Sequence, residues 1–334
     1  MGEMSTIVRL GLVIACAGIL GCSGQITGGE GGNQDTGEVS LHIVSPANGA
    51  TFVRDSVGHW GELVAALNVQ ADATGSIVEL RVENAAGDDL GALSADDLSA
   101  TIELGTDGGH TLTVVALDSE GNTIATDSVT VTVAAPEPDG CHEWLDLYNL
   151  TYDLGPDRQG VADPVTVTTP INGMVHRYVS NDTPRETFFM DCSLALSLAR
   201  AASHFRRHDI VEVADIGVYN YRCIGGGTPP DCPNGISQHA YAKAIDLAGF
   251  TDKNGEFYSV NDDWVIDPDG NTCSAATEND KDAFLHQLIC ELKADRVWNI
   301  VLTPNYNDAH RNHFHVDLTP GSDFIRYELP SDGS

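Results

Sequence analysis

Between Val39 and Val133 the chain alternates apolar and polar residues in short runs broken by turn residues, which commits the stretch to β-structure. The clearest run is Val129-Thr130-Val131-Thr132-Val133. Strand side chains repeat every two residues, so the valines share one face and the threonines the other. Comparable runs lie at 41–44, 62–69, 77–82, 100–104 and 111–117. Segments such as Ser45-Pro46-Ala47-Asn48-Gly49 and Asp118-Ser119-Glu120-Gly121-Asn122 separate them. Six or seven strands at this spacing predict an antiparallel sandwich over residues 39–135.

The opening Ser-Pro-Ala-Asn-Gly and the two closing runs, at 110–118 and 129–133, resemble bacterial Ig-like repeats. The resemblance implies a spacer or a module for a surface glycan. No aromatic cluster marks a glycan platform, which favours the spacer.

Residues 136–140, Pro136-Glu137-Pro138-Asp139-Gly140, read as a linker and domain boundary. Beyond them the periodicity changes. Residues 192–205 place Leu194, Leu196, Leu198 and Ala201 at helical spacing, and 281–292 do the same with Phe284, Leu285, Leu288 and Ile289. Strand-like runs at 210–218 and 298–302 alternate with these helices, predicting an α+β domain over 141–334.

The N-terminus reads as an export signal. Arg9 precedes an apolar run, 10–20, of signal-peptide length and too short to span a bilayer. It ends in Ile19-Leu20-Gly21-Cys22, which resembles a bacterial lipobox: residues 1–21 would be removed and Cys22 lipidated. The Gly-rich stretch within 22–38 then reads as a flexible tether. The expected location is the bacterial cell envelope, on the periplasmic or surface side of what is expected to be the outer membrane. The lipid is the only membrane contact.

Setting aside Cys16 and Cys22, the remaining six cysteines all lie beyond the linker: Cys141, Cys192, Cys223, Cys232, Cys273 and Cys290. In an exported chain without a Cys-x-x-Cys pair they read as disulfides rather than zinc ligands. Connectivity does not follow from sequence. Pairing neighbours gives Cys223–Cys232 and Cys273–Cys290, leaving Cys141 for Cys192. A formal charge of −32 argues against nucleic acid and anionic lipid as partners.

The chemistry concentrates in His310-Arg311-Asn312-His313-Phe314-His315-Val316-Asp317, read with Ser237-Gln238-His239 and Asp246. His313 and His315 are two apart in a β-like run and share a face, as would Asp317. His239 and Asp246 are seven apart, an odd spacing, so the chain must bend between them for both to reach one ion. Imidazole and carboxylate donors suit zinc at about 2.0–2.2 Å, and three protein ligands leave one position open for water.

Several separated motifs carry a resemblance. They are Ser237-x-His239, Ala244-Ile245-Asp246, Ala248-Gly249-Phe250 and the run from Pro304 through Tyr306-Asn307 and Ala309-His310 to His313-Phe314-His315-x-Asp317. Together with Tyr221-Arg222-Cys223 and Asp191-Cys192-Ser193-Leu194-Ala195 they resemble the bacterial extensin-like C-terminal domain family. That family is in turn similar to the LAS metallopeptidases, which include D-alanyl-D-alanine carboxypeptidases and murein endopeptidases.

The resemblance implies one Zn2+ per chain on His239, Asp246 and His315, and hydrolysis of peptide bonds in peptidoglycan. Two positions depart from the LAS pattern. Ala242 stands where a glycine is usual, and Asn312 stands where many members carry a basic carboxylate. The base role therefore passes to His313, with His310 steadying the oxyanion. Ser237 and Asp317 are expected to hydrogen-bond the ligand imidazoles. Arg222 is expected to pair with a substrate carboxylate, or else to sit in a surface ion pair. The other reading is a non-catalytic envelope or peptidoglycan-binding protein that retains the pocket.

Overall fold

The computed structural model of the protein describes residues 38–181, 183–267 and 272–326. The expected signal, the expected lipidation site Cys22 and all but the last residue of the expected tether lie outside them. The described residues form one compact unit, mostly β-sheet, around two separate hydrophobic cores.

The first core lies between two sheets built from β1 (Ser40–Ser45), β2 (Ala50–Val53), β3 (Ser56–Val57), β4 (Leu63–Thr74), β5 (Glu79–Glu83), β6 (Asp89–Ala92), β7 (Ser99–Leu104), β8 (Gly108–Leu117) and β9 (Thr123–Ala134). One sheet runs β1-β4-β3 with β7 also on β4; the other runs β2-β9-β8-β5-β6. Ile43, Leu67 and Val69 meet Leu80, Val82, Leu112, Val114 and Val131 between them. The alternation in β9 therefore works as expected, with Val129, Val131 and Val133 inward and the threonines outward. Sequence patterning had missed β2, β3 and β6, which are two to four residues long. Such runs are too short to show a period.

Beyond the linker come α1 (Cys141–Leu147), β10 (Tyr152–Leu154), β11 (Pro164–Thr168), β12 (Val175–Tyr178), β13 (Thr187–Asp191), α2 (Cys192–Arg207), β14 (Ile210–Gly217), β15 (Ala244–Asp252), β16 (Phe257–Ser259), α3 (Val260–Asp263), α4 (Asp280–Ala294), β17 (Ile300–Leu302), β18 (Phe314–Asp317) and β19 (Phe324–Arg326). A mixed sheet in the order β12-β14-β15-β18-β17-β19, with β16 on β15, forms the floor. A three-stranded sheet, β10-β11-β13, lies apart from it.

Helix α2 starts at Asp191, whose carboxylate accepts from the Ser193 backbone N–H at 3.1 Å. It buries Leu194, Leu198, Ala201 and Phe205, and Phe205 meets Phe250 of β15 at 5.3 Å between ring centroids. Helix α4 is capped by Asn279, which accepts from the Lys281 and Asp282 backbone. It buries Leu285, Leu288 and Ile289 in the same core. Trp264, 5% exposed, stacks on His286 in that core, so it is a core residue and no substrate platform.

The three disulfides join Cys141 to Cys192, Cys223 to Cys232 and Cys273 to Cys290. The two halves also touch. Asn172 donates to the Gly61 carbonyl at 2.6 Å and to Ala199 O of α2 at 2.8 Å, and Leu63 of β4 enters the second core. Gly61 sits at φ +90° with room for no Cβ beside Asn172, so the turn before β4 can press against α2.

Candidate metal centre

Strands β15 and β18 pair antiparallel, and Asp246 stands directly opposite His315 in the ladder. His239 comes from a 3-10 turn, Gln238–Tyr241, that precedes β15. The bend required by the odd spacing is made at Ala242, which closes the turn in the left-handed region at φ 53°, ψ 31°. A glycine would adopt that conformation without cost, and alanine holds it under mild strain.

The three side chains converge. His239 Nε2 is 3.1 Å from Asp246 Oδ1, His315 Nδ1 is 3.0 Å from the same oxygen, and the two nitrogens are 3.2 Å apart. Their outer nitrogens are already committed. His239 Nδ1–H donates to the Val218 carbonyl at 2.6 Å, just beyond β14, and His315 Nε2–H donates to Asp317 Oδ2 at 3.0 Å. In the neutral form that binds a metal, these tautomers would turn two lone pairs and a carboxylate oxygen toward one point. Three acceptors at this spacing repel unless a cation sits among them.

The electrostatics carry the same demand for positive charge. Burial works against ionisation of Asp246, but the facing imidazoles of His239 and His315 outweigh it and hold the carboxyl well below its usual range. Burial likewise works against charge on His315, yet Asp246 and Asp317 raise it to about 9. The donor set, two imidazoles and a carboxylate with pinned outer nitrogens, fits a zinc ion. Among the described residues one other group brings three metal-type donors together, Cys141, Asp163 and Cys192. Its two sulfurs are bonded to each other and are no ligands.

His313 and His310 border the triangle. His313 Nε2 lies 3.4 Å from Asp246 Oδ1, and its Nδ1 is 2.8 Å from Asn312 Oδ1. His310 contacts the rings of His313 and His315 at 5.3 and 5.7 Å, with Tyr306 edge-on at 5.4 Å, a rim position. Burial lowers both imidazoles, His310 to about 4, aided by the neighbouring histidines.

Two expected roles change with the geometry. Asn307 Oδ1 accepts from the Ala309 backbone N–H at 3.0 Å and from His310 Nδ1–H at 2.7 Å. The free Nε2 of neutral His310 is therefore a lone pair, suited to taking a proton and unable to donate to an oxyanion. Ser237 does not reach an imidazole: its hydroxyl caps the turn by accepting from the His239 backbone N–H at 3.3 Å. The Val218 carbonyl does that work instead, and no residue-type signal could have pointed to a main-chain oxygen. Arg222 lines the cavity beside His239 and Asp246.

Fold and donors together describe a protein with a β-sandwich core and, on a second sheet, a group of three side chains that could hold a metal ion. Residues 168–325 match the family described as Extensin-like protein C-terminus. No curated protein matches. Among solved structures, the fibronectin(III)-like modules of Clostridium thermocellum CbhA are similar at 16% identity and TM-score 0.24, over 29% of this chain and 100% of that one. A modular endo-beta-1,4-mannanase from Cellulomonas fimi is similar at 28% identity and TM-score 0.20, over 30% of this chain and 19% of that one. The Bacteroides ovatus SGBP-B, in complex with a mixed-linkage heptasaccharide, is similar at 9% identity and TM-score 0.21, over 66% and 45%. Among the described residues no helix is long and apolar enough to cross a membrane.

Proposed function

We propose that the protein is a lipid-anchored cell-envelope peptidase whose 141–334 region is an α+β, LAS-type domain. It would use zinc to hydrolyse peptide bonds of peptidoglycan stem peptides or cross-links. The observation that carries this reading is the triangle of His239 Nε2, Asp246 Oδ1 and His315 Nδ1, with both outer ring nitrogens pinned. The leader-like residues 1–21 and three disulfides suit an oxidising, exported setting.

Zinc held by these three residues would polarise the scissile carbonyl and acidify a water. The chain supplies the rest. His313, neutral and with its Nε2 beside Asp246, accepts the proton from the attacking water and passes it to the leaving amine. His310 offers a second acceptor on the same side. Arg222, with its planar fork, takes a substrate carboxylate and sets which bond lies over the triangle.

Digestion of purified murein by the full-length protein tests the reading. Release of amino groups, abolished by a chelator and by His315→Ala, is expected. Zinc bound without turnover on any murein would replace the peptidase with a non-catalytic binding pocket.

A further inference from the structure

The cavity beside the triangle, about 740 Å³, reverses the charge of the molecule. The chain carries −32, yet the lining holds three arginines, Arg158, Arg185 and Arg222, against one acid, Asp246. Arg185 is neutralised: it donates twice to buried Asp215, at 3.0 and 2.5 Å, and lies over the Tyr178 and Phe188 rings. Arg158 and Arg222 have no carboxylate partner among the described residues. In a protein with 49 acidic and 17 basic residues, two unpaired guanidinium groups in one cleft need a reason.

Arg158 is also held in place. Its Cζ lies 4.6 Å from the Phe189 ring centroid and 5.3 Å from that of Tyr219. Those two rings meet edge to face at 5.6 Å. Stacking uses the face of the guanidinium and leaves the in-plane N–H edge free for a carboxylate. The segment bearing Arg158 is fastened to the metal-site turn. Tyr219 donates to the Gln159 carbonyl at 3.1 Å. Gly160, at φ +88°, lies so close that an added Cβ would stand 2.5 Å from Ala240 O, one residue past His239. Residue 158 precedes the segment, 168–325, that matches the extensin-like family.

We propose that this cleft recognises an acidic peptide through two separate cations, Arg222 beside the triangle and Arg158 on the exposed wall, each receiving one carboxylate. The inference rests on the peptidase reading for the peptide character of the ligand. It adds the requirement for a second acid and the residue that reads it.

The test is calorimetric binding to the full-length protein. The probe is acetyl-Glu-Ala-Ala with an N-methylated last amide, which resists cleavage, beside its Gln counterpart and its C-terminal amide. The Glu probe should bind about fivefold tighter than the Gln probe, the scale of one exposed charge pair. Arg158→Gln should erase that preference, and Arg158→Lys should keep part of it. Arg222→Gln should instead erase the preference for the free C-terminal carboxylate. Equal binding of the Glu and Gln probes, or a loss in Arg158→Gln that is the same for both, would overturn the inference. Binding is read without turnover, so an inactive protein leaves this result interpretable, and an active one with indifferent binding overturns the second cation alone.

Discussion

Asp246 and His315 are cross-strand partners in the β15–β18 ladder, and their facing atoms, Oδ1 and Nδ1, stand 3.0 Å apart. Two of the three donors are thus set by sheet register, which side-chain flexibility cannot blur. We expect about one zinc per chain by elemental analysis, lost in His315→Ala. In the metal-free protein the raised His315, at about 9, carries a proton at neutral pH. Zinc binding at pH 7.5 should therefore release close to one proton, and the release should vanish as pH passes 9. Calorimetry in buffers of different ionisation enthalpy reads that number directly; zero release at pH 7.5 would contradict the assignment.

Asp317 fixes which nitrogen of His315 faces the triangle, through its contact with Nε2 at 3.0 Å. Asp317→Ala removes the acceptor that pins the tautomer and orients the ring. Zinc affinity should fall roughly 10- to 100-fold with the fold intact, since outer-sphere acceptors of ligand histidines have effects of that size. Competition against a chromophoric chelator measures it.

His313 sits at the triangle without being one of its donors. His313→Gln should keep one zinc per chain and lower kcat by about 10²–10⁴-fold, the usual contribution of a positioned base. His310→Gln tests the second acceptor and should cost less. If His313→Gln also loses its metal, His313 is a ligand and the division of labour proposed above fails.

The sequence made some layers of this architecture legible and hid others. Strand alternation in β4, β8 and β9 and the helical spacing of Leu194, Leu198 and Leu285 report burial residue by residue, so those elements could be found, although β4 runs on to Thr74 and β9 starts at Thr123, beyond the alternating runs. His239, Asp246 and His315 were readable because imidazole and carboxylate are rare in a core without a task. What could not be read were contacts that residue type does not encode. The Val218 carbonyl on His239, the Asn307 amide that sets the His310 tautomer, and the unpaired state of Arg158 exist only once the chain is folded.

His176 offers a test that is independent of the metal. It lies on β12, 1% exposed, with no hydrogen-bond partner on Nδ1 among the described residues. Burial, aided by nearby Arg185, pushes it down to about 3. The unfolded chain binds a proton at this position near pH 6.5 while the folded chain does not until about 3. Stability contributed by the neutral ring is thus present above pH 6.5 and is lost progressively as pH falls from 6.5 toward 3. His176→Leu removes the titrating group and leaves an apolar side chain beside Phe188. Urea midpoints of the two proteins, each with EDTA, should therefore diverge with acidity: the native protein should lose more stability than the variant between pH 7 and pH 5. Parallel losses would mean that His176 gains a proton in the folded state as readily as in the unfolded chain.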